Sequence, residues 1–540
     1  MKKTKQYANI ANILKECVAY AKSLKVRMED PDGNKKDFQI SDISLAFINH
    51  EVKNLSFTNG IPSDIVDLAD SSELLIRIWI RNEKKTVEKV FAYGELIPDP
   101  VFIKMHFNFV IQLSIRAAVN EFFSRKTKDN KYSIISEDEA IKDIYQPPPF
   151  EDFFPNGLTQ IEELFRWLYI KQNITSVGGN LNLERKVWIV CNSMGTEIIQ
   201  HQDRCSLAID FNCLSDKRTI IEDVFVDHYG TFKELVNSLP DIKTKIGKKL
   251  SKVQQKRIEG GLYPLLFKPS AVATLFHEAV AGHMLSGKYI VNGISTVFEN
   301  KLNKEIGIEE EMPELFNISV FDNPSMKDQI GHYKYDMEGV AAKDVCLLEK
   351  GIVRNYLTDK NSAARINQQS NGHNLAQSFV AISTDNRLVL TKPEPRVSNL
   401  FVESHTDITL DEIVESVFDK SDFYLEIGSR SGQVSVDTGV FDLFADHITM
   451  VWKDGRREAI APGTFSGSVT DFLSAIQIVS NHYGETKGFC GSGSGWVPTH
   501  ETAPAMLLYG VNFVTDPKPE KELHIDLEKD KYIPEEWLKK

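Results

Sequence analysis

The residues with the clearest chemical capability lie in AVATLFHEAVAGHMLSG, where His277, Glu278 and His283 fall within one short stretch. Adjacent His-Glu on a helix is the core of a zinc-hydrolase arrangement: imidazole nitrogens hold the metal, and the neighbouring carboxylate takes a proton from the attacking water. Such sites place the second histidine four residues after the first, whereas here it comes six after. At about 100° and about 1.5 Å per residue, six residues set the imidazoles about 120° apart around a straight helix and about 9 Å along it. One ion cannot then take both. A helix break or a π-bulge repairs the geometry, and Gly282, directly before His283, is where the chain can leave the helix. The alternative is that the two histidines are independently hydrogen-bonded and hold nothing between them.

The element that must position these groups starts at Pro269-Ser270, a helix-opening pair, and meets Gly282 and Gly287 near its end. Beyond Gly261, turn signals such as Glu349-Lys350-Gly351 and Lys453-Asp454-Gly455 separate alternating apolar runs, which predicts antiparallel strands. Earlier, Ile10, Ile13, Leu14, Cys17, Val18, Ala21 and Leu24 recur at helical spacing, and 101–125 reads as a second helix. Strands are expected at Leu74–Ile80, at Thr86–Tyr93 and on both sides of the Asn192–Gly195 turn, while Gln146–Phe150 must be a loop. Seven positive charges between Lys243 and Arg257 read as a solvated helix face or linker, with Gly260-Gly261 stopping the helix and marking a boundary. The expected fold class is α+β. Residues 1–260 form a mixed α/β domain with an antiparallel sheet, and residues 261–540 a predominantly antiparallel β domain carrying the metal-binding helix.

Of the 540 residues, 42% are hydrophobic and 26% charged, the balance of a soluble globular protein. A net charge of −13 argues against a surface built to grip phosphates or anionic lipid, so neither nucleic acid nor membrane is an expected partner. The most apolar stretches fall short of the ~20 residues that span a bilayer. Six cysteines without a CxxC fit a reducing, cytoplasmic compartment rather than a disulfide framework, and the basic start lacks the apolar run of a secretory signal. No nucleotide-binding fingerprint is present.

The segment HEAVAGH resembles the metal-binding helix of the TldD/PmbA peptidase family, whose signature is HExxxH in a context such as HEAxGH; here it is one residue longer. KYDMEGVAAKDVCLLEKGIVRNYLTDKNSAARIN, with Asp336, Glu338 and Gly339 in a D-x-E-G segment, is similar to the family's next segment. PEPRVSNLFVE, SGQVSVDTGVFDL and FCGSGSGWVPTHETAPAMLL follow in the family's order, so the resemblance covers roughly residues 185 to 515. It implies a third metal ligand at Cys490. On its residue type alone a lone cysteine is a small buried hydrophobe, which is how Cys346 reads. A thiolate nevertheless binds zinc well at about 2.3 Å, and the glycines around Cys490 allow close approach.

The resemblance further implies one Zn²⁺, with iron as the alternative, held by His277, His283 and Cys490, and Glu278 as general base. The implied activity is hydrolysis of unfolded or short peptides bound in extended form, inside a homodimer or a heterodimer with a paralogous subunit. Two other readings stand beside it: a catalytically silent partner subunit of such a heterodimer, and a peptide-binding regulatory protein. Asp336 and Glu338 read as turn residues, while His500 and Glu501, about ten residues beyond Cys490, either reach the site or form an exposed polar turn and are left out of the ligand set.

Overall fold

Strand Lys35–Thr58 is buried without interruption from Asp42 to Val52, and its alternate residues serve two different cores. Ile43, Leu45 and Phe47 pack with Ile10, Leu14, Phe107 and Ile111 of the helices Lys2–Ser23 and Pro100–Ser124. Ala46 and Ile48, pointing the opposite way, pack with Trp188, Val190, Val272 and Phe276. The period of two along a strand thus makes one sheet the wall of both cores.

The computed structural model describes residues 2–82, 85–94, 96, 99–124, 140–145, 147, 157–214, 220–251, 256–307, 312–376, 392–515 and 533–534. Among these, a nine-stranded sheet runs Lys85–Tyr93, Val66–Asn82, Lys35–Thr58, Ile174–Asn192, Glu197–Leu214, Lys142–Ile144, with three further strands paired beside this path. Its pairs are antiparallel except Lys142–Ile144 against Glu197–Leu214. The helices Leu158–Tyr169 and Phe232–Ser251 cover the far ends of its long strands through Phe165, Leu168, Leu235 and Ile242.

A thirteen-stranded sheet holds most of the remaining strands among the described residues, with Gly495–Leu508 near its middle between Leu265–Phe267 and Asn399–Ser404. It is mostly antiparallel, but Leu265–Phe267 runs parallel to Phe423–Ser435, and Asn399–Ser404 parallel to Gly495–Leu508. The helix Pro269–Phe276 lies on this sheet, buried on every side from Ala271 to Phe276, as expected of a helix that is apolar all round. Burial of Leu275 and Phe276 contributes roughly 1.5–3 kcal/mol each, which anchors the element leading into His277.

Both early helices, the strands at Leu74–Ile80 and Thr86–Tyr93 and the hairpin at Asn192–Gly195 form as the sequence predicts. Lys350 and Gly351 take positive φ, as their hairpin turn requires. Gly261 departs from expectation: the preceding helix ends at Ser251, and Gly261 opens a short strand with Leu262. Gln146, Pro148, Pro149 and Phe150 of the expected loop, and 252–255 of the basic run, lie outside the described residues. Among the described residues no helix is long and apolar enough to cross a membrane.

Candidate metal centre

Pro269 occupies the first turn of its helix, where its missing N–H is no loss and its fixed φ suits the helix. Regular α geometry ends at Phe276, and His277–Ala281 form a π-turn. The Gly282 N–H donates to the His277 carbonyl at 2.6 Å, and the Leu285 N–H to the Val280 carbonyl at 3.0 Å, both i→i+5 closures. This irregularity, together with the turn that follows, brings the His277 and His283 rings to 6.0 Å between centroids. The exit is not made by a left-handed glycine, because Gly282 keeps helical angles, φ −66° and ψ −40°. Gly282 is needed for room: a Cβ there would lie 2.7 Å from the His277 carbonyl oxygen and 2.9 Å from His277 Nε2.

Cys490 comes from strand Ile476–Ser492, two residues before the hairpin that leads into Gly495–Leu508. Its Sγ lies 3.6 Å from His283 Nε2. One donor atom from each of His277, His283 and Cys490 falls within 4.8 Å of the others. Two donors on a tetrahedral zinc, one sulfur and one nitrogen, lie about 3.5 Å apart, so the observed 3.6 Å separation suits the group. Two imidazoles and a thiolate are also the chemistry that zinc selects. Of the sequence-predicted residues, Glu278 completes the cluster with Oε2 at 3.4 Å from His283 Nε2.

The electrostatics follow from this crowding. Burial alone would push the Cys490 thiol up, but Arg396 and the two imidazoles outweigh it and hold it well below its ordinary value. Burial would push His277 down, and the Cys490 thiolate and Glu501 carboxylate reverse this and raise it. Burial pushes the Glu278 carboxyl up despite the two neighbouring imidazoles. Strand Phe423–Ser435 passes beside that carboxylate, where a Cβ on Gly432 would lie 3.2 Å from Glu278 Cγ.

Two supporting residues escape the sequence reading. Glu501, for which the sequence left a place at the site and an exposed turn equally open, is buried on strand Gly495–Leu508, and its Oε1 lies 3.0 Å from His277 Nδ1. That bond fixes the ring and leaves Nε2 facing the cluster. The signal was the polar run Thr499–Thr502 inside an otherwise apolar strand. Arg396, 1% exposed, donates to the Cys490 carbonyl at 2.6 Å, the Ser494 hydroxyl at 2.7 Å and the Gly495 carbonyl at 2.8 Å, clamping the hairpin that carries the thiol. His500 is buried as well, beside Glu485 at 3.2 Å.

Asp336 and Glu338 lie in a turn, as expected, with Gly339 at φ +75°. Asp336 Oδ1 accepts the Glu338 and Val340 N–H groups at 2.8 and 3.0 Å, and Glu338 pairs with Arg77 of the first sheet. Cys346 stands half-buried on strand Val345–Glu349 rather than in the core.

The fold class is α+β, and the whole architecture is that of a known group. The chain superposes on TldE from Thermococcus kodakarensis with a TM-score of 0.63 at 16% identity, covering 93% of this chain and 99% of that one. Residues 260–514 match the PmbA/TldA metallopeptidase C-terminal domain. Over that stretch, just under half of its length, the chain is similar to the TldD/PmbA family. It is 28% identical to a metalloprotease of Methanocaldococcus jannaschii over 238 residues, 44% of this chain and 48% of that protein. It is also 28% identical to a zinc metalloprotease TldD homologue of Saccharolobus solfataricus over 232 residues, 43% of this chain and 47% of the relative. The chain thus spans about half the length of the curated relatives it matches.

Proposed function

We propose that this protein is a zinc-dependent peptidase in which His277, His283 and Cys490 hold the metal and Glu278 is the general base. The observation that carries the reading is the convergence of those three donors within 4.8 Å, with the Glu278 carboxylate at its edge. Three protein ligands leave a fourth position open, the layout of a catalytic centre. A bound zinc ion supplies Lewis-acid polarisation of the scissile carbonyl and acidifies the attacking water. Glu278, its carboxyl raised by burial, takes the proton of that water as the new C–O bond forms. It then gives the proton to the amine nitrogen as the C–N bond breaks. Glu501 keeps His277 oriented throughout, and Arg396 keeps the Cys490 hairpin in place.

The substrates are unfolded or short peptides lying extended along a strand edge, held by main-chain hydrogen bonds that tolerate many sequences. Residues 1–260 and 261–540 act as two domains, the protein works as a dimer with a like or paralogous chain, and its six free thiols support a cytosolic setting. The likeness to TldE over the whole chain favours one other reading, a catalytically silent partner subunit.

Metal analysis and casein cleavage decide between them. The peptidase reading expects about one zinc per chain, lost in Cys490→Ser, and a Glu278→Gln variant that keeps the metal but cleaves no casein. Metal far below one equivalent in the native chain, or full activity in Glu278→Gln, overturns it. Iron in place of zinc appears in the same analysis.

A further inference from the structure

A cleft of about 540 Å³ opens where strand Glu197–Leu214 of the first sheet faces the segment 327–334, with Gln202, Arg204 and Tyr333 in its wall. A smaller hollow shares those three residues and continues past Lys186 to Val497 and Pro498. Val497 is the cross-strand partner of Cys490, and such partners lie about 5 Å apart with side chains on one face. The inner end of this small hollow therefore lies beside the strand pair that carries the Cys490 thiol, with Arg204 between it and the open cleft.

Arg204 is 8% exposed, donates to the neutral Gln202 side chain, and has no carboxylate within ion-pair distance among the described residues. Its nearest acidic influence, Glu184, is held by His50 at 2.7 Å. Burial pushes Arg204 down to about 10, and burial together with the Arg204 charge pushes Lys186 down to about 7. Of the four acidic residues lining the same cleft, two are closely matched by cations or donors, Glu234 stands 3.8 Å from Lys487, and Asp328 is exposed to solvent. Asp203 accepts Arg185 Nε at 2.6 Å and Nη2 at 2.5 Å, and Asp143 accepts Lys334 and Tyr335, both at 3.1 Å. A buried guanidinium with five donors and so little anionic company is a receptor for a carboxylate.

We propose that Arg204 binds the C-terminal carboxylate of the peptide substrate, anchoring one end of the chain while the metal centre holds the scissile bond; Lys186, whose ammonium donates to the Ala376 carbonyl, lines the same hollow. The inference rests on the peptidase reading for its direction along the cleft. An acidic side chain offers the same chemistry, so the test separates the two sources.

Calorimetric titration of the full-length Glu278→Gln chain avoids turnover and uses three probes: N-acetyl-tetraalanine as free acid, the same peptide as amide, and N-acetyl-trialanyl-glutamate amide. The free acid is expected to bind about 10-fold or more tightly than the alanine amide, as a charge-assisted hydrogen bond predicts. Adding Arg204→Gln should abolish that preference and leave the amide affinity unchanged, whereas Arg204→Lys keeps part of it. A merely structural arginine would weaken acid and amide alike. Equal affinity for acid and amide in the parent chain overturns the proposal, even if Arg204→Gln fails to fold. Preference for the glutamate amide over the free acid overturns the C-terminal assignment in favour of an acidic side chain. If the preference holds but the native chain cleaves nothing, the peptidase reading fails and the carboxylate site stands. If the native chain cleaves but shows no preference, the carboxylate site fails and the peptidase reading stands.

Discussion

Gly282→Ala sets two effects against each other at one atom. Gly282 already has helical φ and ψ, so alanine meets no backbone strain and gains about 1 kcal/mol of helix propensity. The added Cβ, however, would lie 2.7 Å from the His277 carbonyl oxygen, which is backbone, and 2.9 Å from His277 Nε2 and Cδ2. An ordinary contact needs at least about 3.4 Å, so the ring must retreat by about 0.5 Å, the tolerance within which a metal site still works. The clash with the backbone carbonyl should cost about 1–3 kcal/mol of folding stability, outweighing the propensity gain, while zinc affinity falls roughly 10- to 100-fold, as when a ligand loses its positioning partner. Thermal melts of the metal-free chain and zinc competition against a chromophoric chelator measure the two separately. Unchanged zinc affinity in a folded Gly282→Ala variant would refute the claim that the π-turn exists to seat His277 against its neighbour. A metal-free melt unchanged from the parent chain would show instead that the carbonyl at 2.7 Å yields without cost.

Two further outcomes follow from the same geometry. Glu501→Gln replaces the charged partner of His277 Nδ1 by a neutral one, and zinc affinity should fall roughly 10-fold while the melting temperature of the metal-free chain stays within a few degrees. Burial would push the Glu184 carboxyl up, but His50 and then Arg204 and Lys186 outweigh it and hold it at about 2, against an ordinary 4.5. A depressed carboxyl stabilises the fold above its unfolded value and loses that contribution as pH falls towards the folded one, here about 3 kcal/mol between about pH 5 and about pH 2. Glu184→Gln should flatten acid unfolding over that window, and an unchanged curve would show that the pair with His50 adds nothing.

Local periodicity is what the sequence displays most openly. Ile10, Leu14 and Ala21 line one buried helix face, and Leu74–Ile80 pairs as a strand, because each pattern depends only on which side of an element meets a core. Strand Lys35–Thr58 gives no such pattern. Its buried stretch includes Asn49 and His50, whose partners are remote: Tyr7 donates to Asn49 at 2.6 Å and Glu184 takes His50 at 2.7 Å. The donors at His277 and Glu278 stand adjacent and announce themselves, but the route of His283 back to them depends on hydrogen bonds that skip a residue, which no spacing rule specifies. Glu501 and Arg396 are harder still. A carboxylate in a run of polar residues and an arginine after a proline look like surface until a second strand and a hairpin close over them.

Cys490 reaches His283 across 207 positions of sequence. A chain emerging from the ribosome can fold the first sheet and even the helix that bears both imidazoles long before the sulfur is translated. Until the hairpin at Ser492–Gly495 is made, the cluster lacks its soft donor, and Arg396 has no carbonyls to grip there. For the peptidase proposed above, the donor set would be complete only once that hairpin has been translated, so a shorter nascent chain would lack its thiolate ligand.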